Sequence, residues 1–362
     1  MKMQMLLSIM NRRFRKYYFI VLLLWIFVSC ADNNVQQEIG CRKANVTLLV
    51  SPYGLGDNGY NDCIADAVFA FSEQHGTEVH LLLPDNEKEA ARLYAQYLAD
   101  NENKDSSIII LGASSYEHIA KQTSLTLKGK GSRVLLVDGH SDDLPDGVFS
   151  FIIDRYGVSY LAGAMSADFD ALIFAAAPGY ATLESAIKGF IDGHTTYRDA
   201  GCASEVVYLA DGEEGFAMPD SAYRVIARRM QQSWIYDEMI FPLLGGSGTG
   251  VLRCINDEEF AMALVVGMDV DQTGRCSRVP FSVVIRVGDV ICRYLEEWVD
   301  GEEWKKQQIL GLAEEAVDIV ITPNFIDDLD IWDDRYEDPN TFKDRYKTYY
   351  EEALIKECDE RY

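Results

Sequence analysis

The amino-acid sequence predicts an α/β fold with two lobes, each a parallel sheet flanked by helices. Between residues 45 and 322, short runs of Val, Ile and Leu alternate with amphipathic stretches of helical length. The runs lack polar alternation, which is typical of strands buried on both faces of a parallel sheet. With 362 residues and 48% hydrophobic side chains, the chain is large enough for two domains that each bury a core.

The strand-like runs divide into two halves. They are VTLLV at 46–50, VHLLL at 79–83, IIIL at 108–111 and VLLVD at 134–138, then ALIFAAA at 171–177, VVYLA at 206–210, MIFPLL at 239–244 and ALVVGMD at 263–269. We therefore predict lobe 1 at 45–152 and lobe 2 at 153–282, facing each other across a cleft. Ligands of such sheets bind at the carboxyl ends of the strands.

The end of the chain adds three elements and a polar extension. The strand-like FSVV at 281–284, a helix over about 287–298 and the apolar AVDIVIT at 316–322 follow lobe 2, and we expect a segment of about 283–320 to return to lobe 1. Residues 325–362 form an acidic extension with a predicted helix at about 340–357. Its acidic run is predicted to be a solvated face.

The N-terminus has the pattern of an export signal. A basic cluster at 12–16 precedes the ten-residue apolar run 19–28, which is too short to span a bilayer, and Ser29 and Cys30 follow. A Cys at this place resembles the lipid-bearing first residue of a mature bacterial lipoprotein, so we predict a signal peptide at 1–29 and a tether at 30–44. The alternative is an ordinary signal or anchor with a chance Cys. A lipidated Cys30 would hold the protein at the cell envelope, since two or more acyl chains anchor stably.

Charge and cysteine content exclude several functions. The chain carries 33 basic and 58 acidic residues, a net charge of −25, so a nucleic acid is not expected as a partner. The cysteines form no CxxC pair and show no metal-ligand spacing, so neither a zinc site nor any other cofactor is predicted. Cys254 and Cys276 are a possible disulfide, or alternatively small buried side chains.

One turn after the first strand offers candidate ligand-binding groups. GLGDNG at 54–59 fits the dinucleotide pattern G-x-G-x-x-G, but Asp57 and Asp62 place negative charge where a pyrophosphate needs positive potential. The wider string GDNGYND at 56–62 offers the ring of Tyr60 beside Asp57 and Asn61, groups that can stack on and hydrogen-bond a polar ring. The alternative is a helix-capping turn in which Tyr60 packs.

Several strings in this chain resemble, in order, the basic membrane protein family, the purine nucleoside receptor A-like substrate-binding lipoproteins of ABC transporters. They are GDNGYND, FIIDRYGVSYLAGAMSA at 151–167, AIKGFIDG at 186–193, IFPLLGGSGTGV at 240–251, GMDVDQ at 267–272 and SVVIRV at 282–287. The resemblance implies a two-lobed type I periplasmic-binding fold that closes on a small ligand, a purine nucleoside in the typical case, and delivers it to a membrane permease.

The resemblance also implies site residues. Tyr60 would stack on the base while Asn61 and Asp57 bond its polar edges, and Phe216 would be the second ring. Asp269 resembles the family's ribose ligand, and the backbone of Gly246 would approach the sugar. Asp154 is a further candidate, or alternatively a hinge cap.

One departure concerns position 285. Ile285 stands where the family usually carries a Lys, and the adjacent Arg286 would face the opposite side of the strand.

Two other function classes compete with a non-catalytic transport receptor. One is a ligand-sensing regulatory module that signals to a membrane partner. The other is an exported α/β enzyme, which we do not expect, because GGSGT at 245–249 misses the nucleophile-elbow pattern and the five histidines show no paired spacing. His140, close after Asp138, is a candidate cleft residue or a solvated loop residue.

Overall fold

The computed structural model describes residues 45–102, 104, 106–122, 131–198, 201–232, 238–257, 263–322 and 339–361. The predicted signal peptide, Cys30 and the tether lie outside the described residues, as does the part of the acidic extension at 325–338. Within the described ranges, no helix is both long and apolar enough to cross a membrane.

The described strands follow the predicted runs closely. They are β1 (Asn45–Leu49), β2 (Glu78–Leu82), β3 (Ser107–Leu111), β4 (Arg133–Val137), β5 (Val148–Ile153), β6 (Asp170–Ala175), β7 (Ser204–Tyr208), β8 (Glu238–Leu243), β9 (Leu264–Val265), β10 (Gly267–Asp269), β11 (Phe281–Ile285), β12 (Gln307–Leu310) and β13 (Val317–Ile321). The predicted run at 263–269 is divided into β9 and β10, which pair in different sheets.

Helices connect the strands. They are α1 (Tyr60–His75), α2 (Glu87–Asn101), α3 (Glu117–Gln122), α4 (Tyr156–Met165), α5 (Ala181–Tyr197), α6 (Pro219–Gln232), α7 (Gly248–Asp257), α8 (Val287–Asp300) and α9 (Pro339–Arg361). Short 3-10 helices lie at Ser114–Tyr116, Glu213–Ala217 and Gly245–Ser247.

The strands form three sheets. The first has the order β12-β5-β4-β3-β1-β2 and is parallel throughout, and the second is the parallel sheet β7-β6-β8-β9. The third, β10-β11-β13, is mixed, because β13 runs antiparallel to β11. The predicted α/β class, with parallel sheets flanked by helices, is confirmed.

The central strands of the first sheet are buried on both faces, as their uninterrupted apolar runs predict, whereas the edge strand β2 is only half-buried or exposed. Alternate residues of β3 enter different cores: Ile108 and Ile110 pack in the larger core with α1, whereas Ile109 and Leu111 pack in a smaller core with α2. Since side chains of a strand alternate between faces, a strand covered on both sides needs apolar residues at every position.

The predicted return segment, 283–320, contains strands of two sheets. β12 joins the first sheet beside β5, whereas β11 and β13 pair with each other. The pattern of apolar runs does not predict β12, because this edge strand begins with the polar Gln307 and Gln308 and leaves Ile309 44% exposed. An edge strand covered on one side carries little of the hydrophobic signal.

Helices α4 and α5 cross in close contact and place their N-termini at the cleft. A side chain at Gly193 would put its Cβ inside van der Waals distance of the Tyr160 carbonyl oxygen, and one at Gly163 would meet the backbone of Phe190 in the same way. Backbones approach this closely only where a residue lacks Cβ. The crossing fixes Arg155, which precedes α4, relative to Tyr180, which precedes α5.

Part of the C-terminal helix α9 packs against the rest of the protein. Ala353 is fully buried, and Glu357, only 1% exposed, accepts hydrogen bonds from the Leu312 N–H at 3.0 Å and from Arg361 at 2.9 Å. The prediction of a wholly solvated acidic face is therefore wrong for this helix, since a charge pattern does not reveal which carboxylates find backbone donors.

The cysteines in the described part of the chain form no disulfide. Cys254 and Cys276 are both buried, and the predicted alternative of a disulfide between them is not present. Both behave as small hydrophobic residues of the larger core.

We predict that Gly193→Ala destabilises the fold by about 2 kcal/mol, because the added methyl group overpacks the α4–α5 crossing. Gly274→Ala is the matched control, since nothing lies within 4 Å of the Cβ it would add. Urea unfolding measures both. A Gly193→Ala variant as stable as Gly274→Ala would show that the helices separate at little cost.

Candidate ligand-binding site

The carboxyl ends of the strands surround a cavity of about 340 Å³. Its walls come from residues at or after the carboxyl ends of β1, β3, β4 and β5 of the first sheet and of β6, β7, β8 and β10 of the others. Six predicted site residues line it: Asp57, Tyr60, Asn61, Phe216, Gly246 and Asp269. Five residues that were not predicted from the sequence also line it: Tyr53, Asp138, Arg155, Tyr180 and Glu213.

The turn before α1 is held by its own carboxylates. Asp57 accepts hydrogen bonds from the N–H groups of Gly59 and Asn61, both at 2.9 Å, and from the Asn61 side-chain amide at 3.0 Å. Asp62 accepts from the N–H groups of Gly56 at 2.7 Å and of Asn58 at 2.8 Å. Carboxylates at a helix N-terminus satisfy its free N–H groups. Asp57 and Asn61 thus border the cavity but also bond each other.

Tyr60 is oriented by Asp138 and Arg155. Its hydroxyl donates to Asp138 Oδ2 at 2.7 Å, and the Arg155 guanidinium donates to the same oxygen at 2.9 Å. The Ile153 N–H donates to Asp138 Oδ1 at 2.8 Å, and the guanidinium carbon lies 5.4 Å from the centroid of the Tyr60 ring. Burial and the neighbouring Asp138 raise the pKa of Tyr60 well above its ordinary value, so its hydroxyl stays protonated and donating.

Asp269 ends β10 in a left-handed conformation, with φ of 67°. Within the described residues, no protein group donates a hydrogen bond to its carboxylate. Burial raises the pKa of Asp269 from 3.8 to about 6; the nearby Arg155 lowers it, and Asp57 and Asp138 raise it further. An acceptor without a donor, placed on a cavity wall, is a binding group for a ligand that brings the donor.

Three aromatic side chains form another part of the cavity wall. Phe216 lies in the 3-10 helix Glu213–Ala217, with its ring centroid 5.5 Å from that of Tyr180, edge to face, and 6.4 Å from that of Tyr53. Burial, and after it the nearby Glu213 carboxylate, raises the pKa of Tyr53 to about 12, and the same two causes raise the pKa of Tyr180. The ring contact between Tyr53 and Phe216 connects the loop after β1 of the first sheet to the segment after β7 of the second.

Gly246 lies between Phe216 and the turn before α1. A Cβ at this position would be 3.3 Å from the Phe216 carbonyl oxygen and 3.4 Å from the Asp57 Cβ. Any larger residue would press on the turn before α1, so the backbone itself borders the cavity here.

Asp154 does not line the cavity. Its carboxylate accepts from Arg361 Nε at 3.0 Å and from the Tyr156 N–H at 3.0 Å, so it caps α4 and fixes the C-terminal helix. Ile285 is buried and also absent from the cavity wall, and Arg286 pairs with Asp318 at 2.7 Å outside the cavity. His140 is exposed and does not face the cavity.

Arg155 and Asp138 line the cavity and were not predicted from the sequence. Asp138 ends the string VLLVD at 134–138 and Arg155 follows β5, and their position at the carboxyl edge of the sheet was the available signal. Tyr53 and Tyr180 lie in loops and Glu213 begins a short 3-10 helix, where no periodicity marks them. In the described part of the chain, no group of three or more His, Cys, Asp or Glu side chains is arranged to hold a metal ion.

Solved structures with this fold include transport and regulatory proteins. An ABC transporter solute-binding protein from Aeropyrum pernix K1 is 15% identical with a TM-score of 0.65, covering 87% of this chain and 86% of its own. A periplasmic solute-binding protein from Actinobacillus succinogenes 130z with bound D-allose is 14% identical with a TM-score of 0.60, covering 79% and 100%. A transcriptional activator of the comK gene from Bacillus halodurans is 16% identical with a TM-score of 0.61, covering 84% and 97%.

These similarities show the periplasmic-binding-protein type of fold, since identities this low carry no information on ligands. The search of curated proteins found no match. A family model described as ABC transporter substrate-binding protein PnrA-like (Bmp) matches residues 44–356, which include every cavity residue named above. The chain therefore belongs to the PnrA-like family of ABC transporter substrate-binding proteins.

Proposed function

We propose that this protein is the lipid-anchored receptor of an ABC importer and binds a purine nucleoside in the cavity between its sheets. The single observation that carries the proposal is Asp269, a half-buried carboxylate on the cavity wall to which no described protein group donates a hydrogen bond. Such a group is costly to keep unless a ligand supplies hydrogen-bond donors.

The aromatic walls support a flat ligand. Tyr60 begins α1, which follows β1 of the first sheet. Phe216 lies in the 3-10 helix that follows β7 of the second sheet. A base held between two such rings gains about 1–3 kcal/mol per stack. Because the two rings come from different sheets, binding also favours the closed arrangement of the cleft.

The charges of the cavity support a neutral ligand with hydroxyl groups. Four carboxylates, Asp57, Asp138, Glu213 and Asp269, line the cavity with one guanidinium, that of Arg155. A sugar hydroxyl can donate to Asp269 in a charge-assisted hydrogen bond. A phosphate would add negative charge to an acidic, weakly screened space, so nucleotides are expected to be rejected.

Membrane attachment is proposed from the sequence pattern at residues 12–30. Lipidation of Cys30 followed by the polar tether 31–44 would place the receptor beside its permease at the cell envelope. A ligand-sensing regulatory module is the second candidate, and the likeness to the Bacillus halodurans transcriptional activator favours it. A permease and ATPase encoded beside this chain would support transport, and a neighbouring histidine kinase would support sensing.

We predict saturable binding of at least one of adenosine, guanosine and inosine to the chain lacking residues 1–30, with no binding of the corresponding monophosphates. Titration calorimetry against the nucleosides, the monophosphates, the free bases and ribose tests this. Absence of binding by all three nucleosides would refute the nucleoside assignment while leaving the family and the fold in place.

Asp269→Asn should weaken nucleoside binding about 10- to 100-fold, because a hydrogen bond to a charged acceptor is replaced by one to a neutral amide. Asp271→Asn is the matched control, two residues away, exposed and outside the cavity wall. Equal loss of affinity in both variants would refute the role of Asp269.

The same Asp269→Asn variant should be more stable than the parent protein in the absence of ligand. The folded-state pKa of Asp269, about 6, lies above its ordinary 3.8, so the folded protein keeps a proton that the unfolded chain releases between these values. Raising the pH from about 4 to 6 therefore removes stability from the parent protein, by up to about 2 kcal/mol.

Thermal unfolding of both proteins across pH 4 to 8 measures this cost. The difference in Tm should be near zero at pH 4 and should reach its full value above about pH 6. A parent protein more stable than Asp269→Asn at pH 8 would mean that Asp269 is a structural residue rather than a binding group.

A further inference from the structure

We propose that Arg155 is a second ligand-binding residue of the cavity, which acts with Asp269 to recognise adjacent hydroxyl groups on the ligand. Arg155 donates to a ligand oxygen, and the Asp269 carboxylate, which lines the same cavity, accepts from a ligand hydroxyl. The inference deepens the proposed function and rests on it for the identity of the sugar-bearing ligand.

Arg155 is held in one place. Its side chain is 11% exposed, and it donates to the Ile153 carbonyl oxygen at 2.9 Å and to Asp138 Oδ2 at 2.9 Å. The guanidinium carbon also lies 5.4 Å from the centroid of the Tyr60 ring. A guanidinium fixed on three sides presents its remaining donors in a defined direction.

Donors remain available to a ligand. A guanidinium carries five N–H groups, and Ile153 and Asp138 account for two of them. The side chain lines the cavity, and it is the one cation among the described residues that do so. Three N–H groups are therefore left for an acceptor inside the cavity.

Arg155 and Asp269 both line the cavity, and their charges interact. Arg155 favours the ionised form of Asp269, and Asp269 in turn stabilises the charged guanidinium. The other charged or titratable groups that face Asp269 are Asp57, Asp138 and the thiol of Cys63, whose pKa burial raises to about 11. The neighbouring strand offers Val284, which carries no charge.

This pairing has a specific consequence for recognition. A hydroxyl group is both donor and acceptor, so two adjacent hydroxyls can donate to Asp269 while one of them accepts from Arg155. A ligand with one hydroxyl removed would leave a buried charged group without a partner, which is heavily penalised. Discrimination between a sugar and its deoxy analogue is thus assigned to these two side chains together.

The test uses Arg155→Lys and the double variant Asp138→Asn/Arg155→Gln, which removes both charges of the buried pair and so avoids an unpaired Asp138. Adenosine, 2′-deoxyadenosine and 3′-deoxyadenosine are titrated into each protein between pH 5.5 and 8.5. Asp271→Asn is the control for nonspecific change. Carbon-13 NMR of the aspartate carboxyl groups follows the Asp269 titration without ligand, with Asp269→Asn identifying its signal.

The parent protein should bind adenosine about 10- to 100-fold more tightly than its deoxy analogues. In the double variant this preference should disappear. The Asp269 titration should move to higher pH, because the removed Arg155 charge lowers the pKa of Asp269 by more than the removed Asp138 charge raises it. On acidification, adenosine affinity should then decline at a higher pH than in the parent protein. Arg155→Lys should keep the titration near its original position, because charge is retained, yet lose most of the preference, because the two-donor geometry is lost.

An unshifted Asp269 titration in the double variant, or an unchanged preference for adenosine, would overturn the inference. If the parent protein binds none of the three compounds, the nucleoside assignment fails, and the hydroxyl-recognition role fails with it. If the Asp269 titration nevertheless shifts in the double variant, the coupling between Arg155 and Asp269 is established. The proposed function, and not that coupling, is then the part that is wrong.

Discussion

The carboxylate of Asp138 is the constraint on which the cavity depends. It accepts hydrogen bonds from Tyr60 at the start of α1, from the Ile153 N–H at the end of β5 and from Arg155 before α4. Three segments that are distant in sequence are thus fixed at one edge of the first sheet. A buried carboxylate with this many charged and polar donors is stable where an unpaired one is not, and it orients both a ring and a cation toward the ligand space.

Asp269 shows the opposite arrangement, and the contrast between the two carboxylates explains how the site works. Asp138 is satisfied by the protein, whereas Asp269 faces the cavity with its pKa raised by burial and without a described donor. Binding residues commonly reduce the stability of the empty protein in this way, because the free energy of the missing hydrogen bonds is recovered only with ligand. In the proposed function, the cleft closes because a ligand makes some of its contacts only when both walls of the cavity touch it.

The fold was largely predictable from sequence, and the site only in part. Buried parallel strands consist of uninterrupted apolar runs, so most of the strands were found, whereas the polar edge strand β12 was not. Tyr60 and Asp269 were found through resemblance to family motifs. Arg155 was missed because an arginine after a strand has no distinctive pattern, and Asp154 was overvalued because sequence does not reveal a partner as distant as Arg361. Contacts between loops depend on tertiary geometry, which local patterns do not contain.

A crystal structure of the protein grown with adenosine at neutral pH tests the central claim most directly. The account predicts the base between the rings of Tyr60 and Phe216, with a sugar hydroxyl about 2.5 to 2.7 Å from an Asp269 carboxylate oxygen. The account would be contradicted by a ligand bound with its hydroxyls away from Asp269, or by a cavity that stays empty at saturating adenosine.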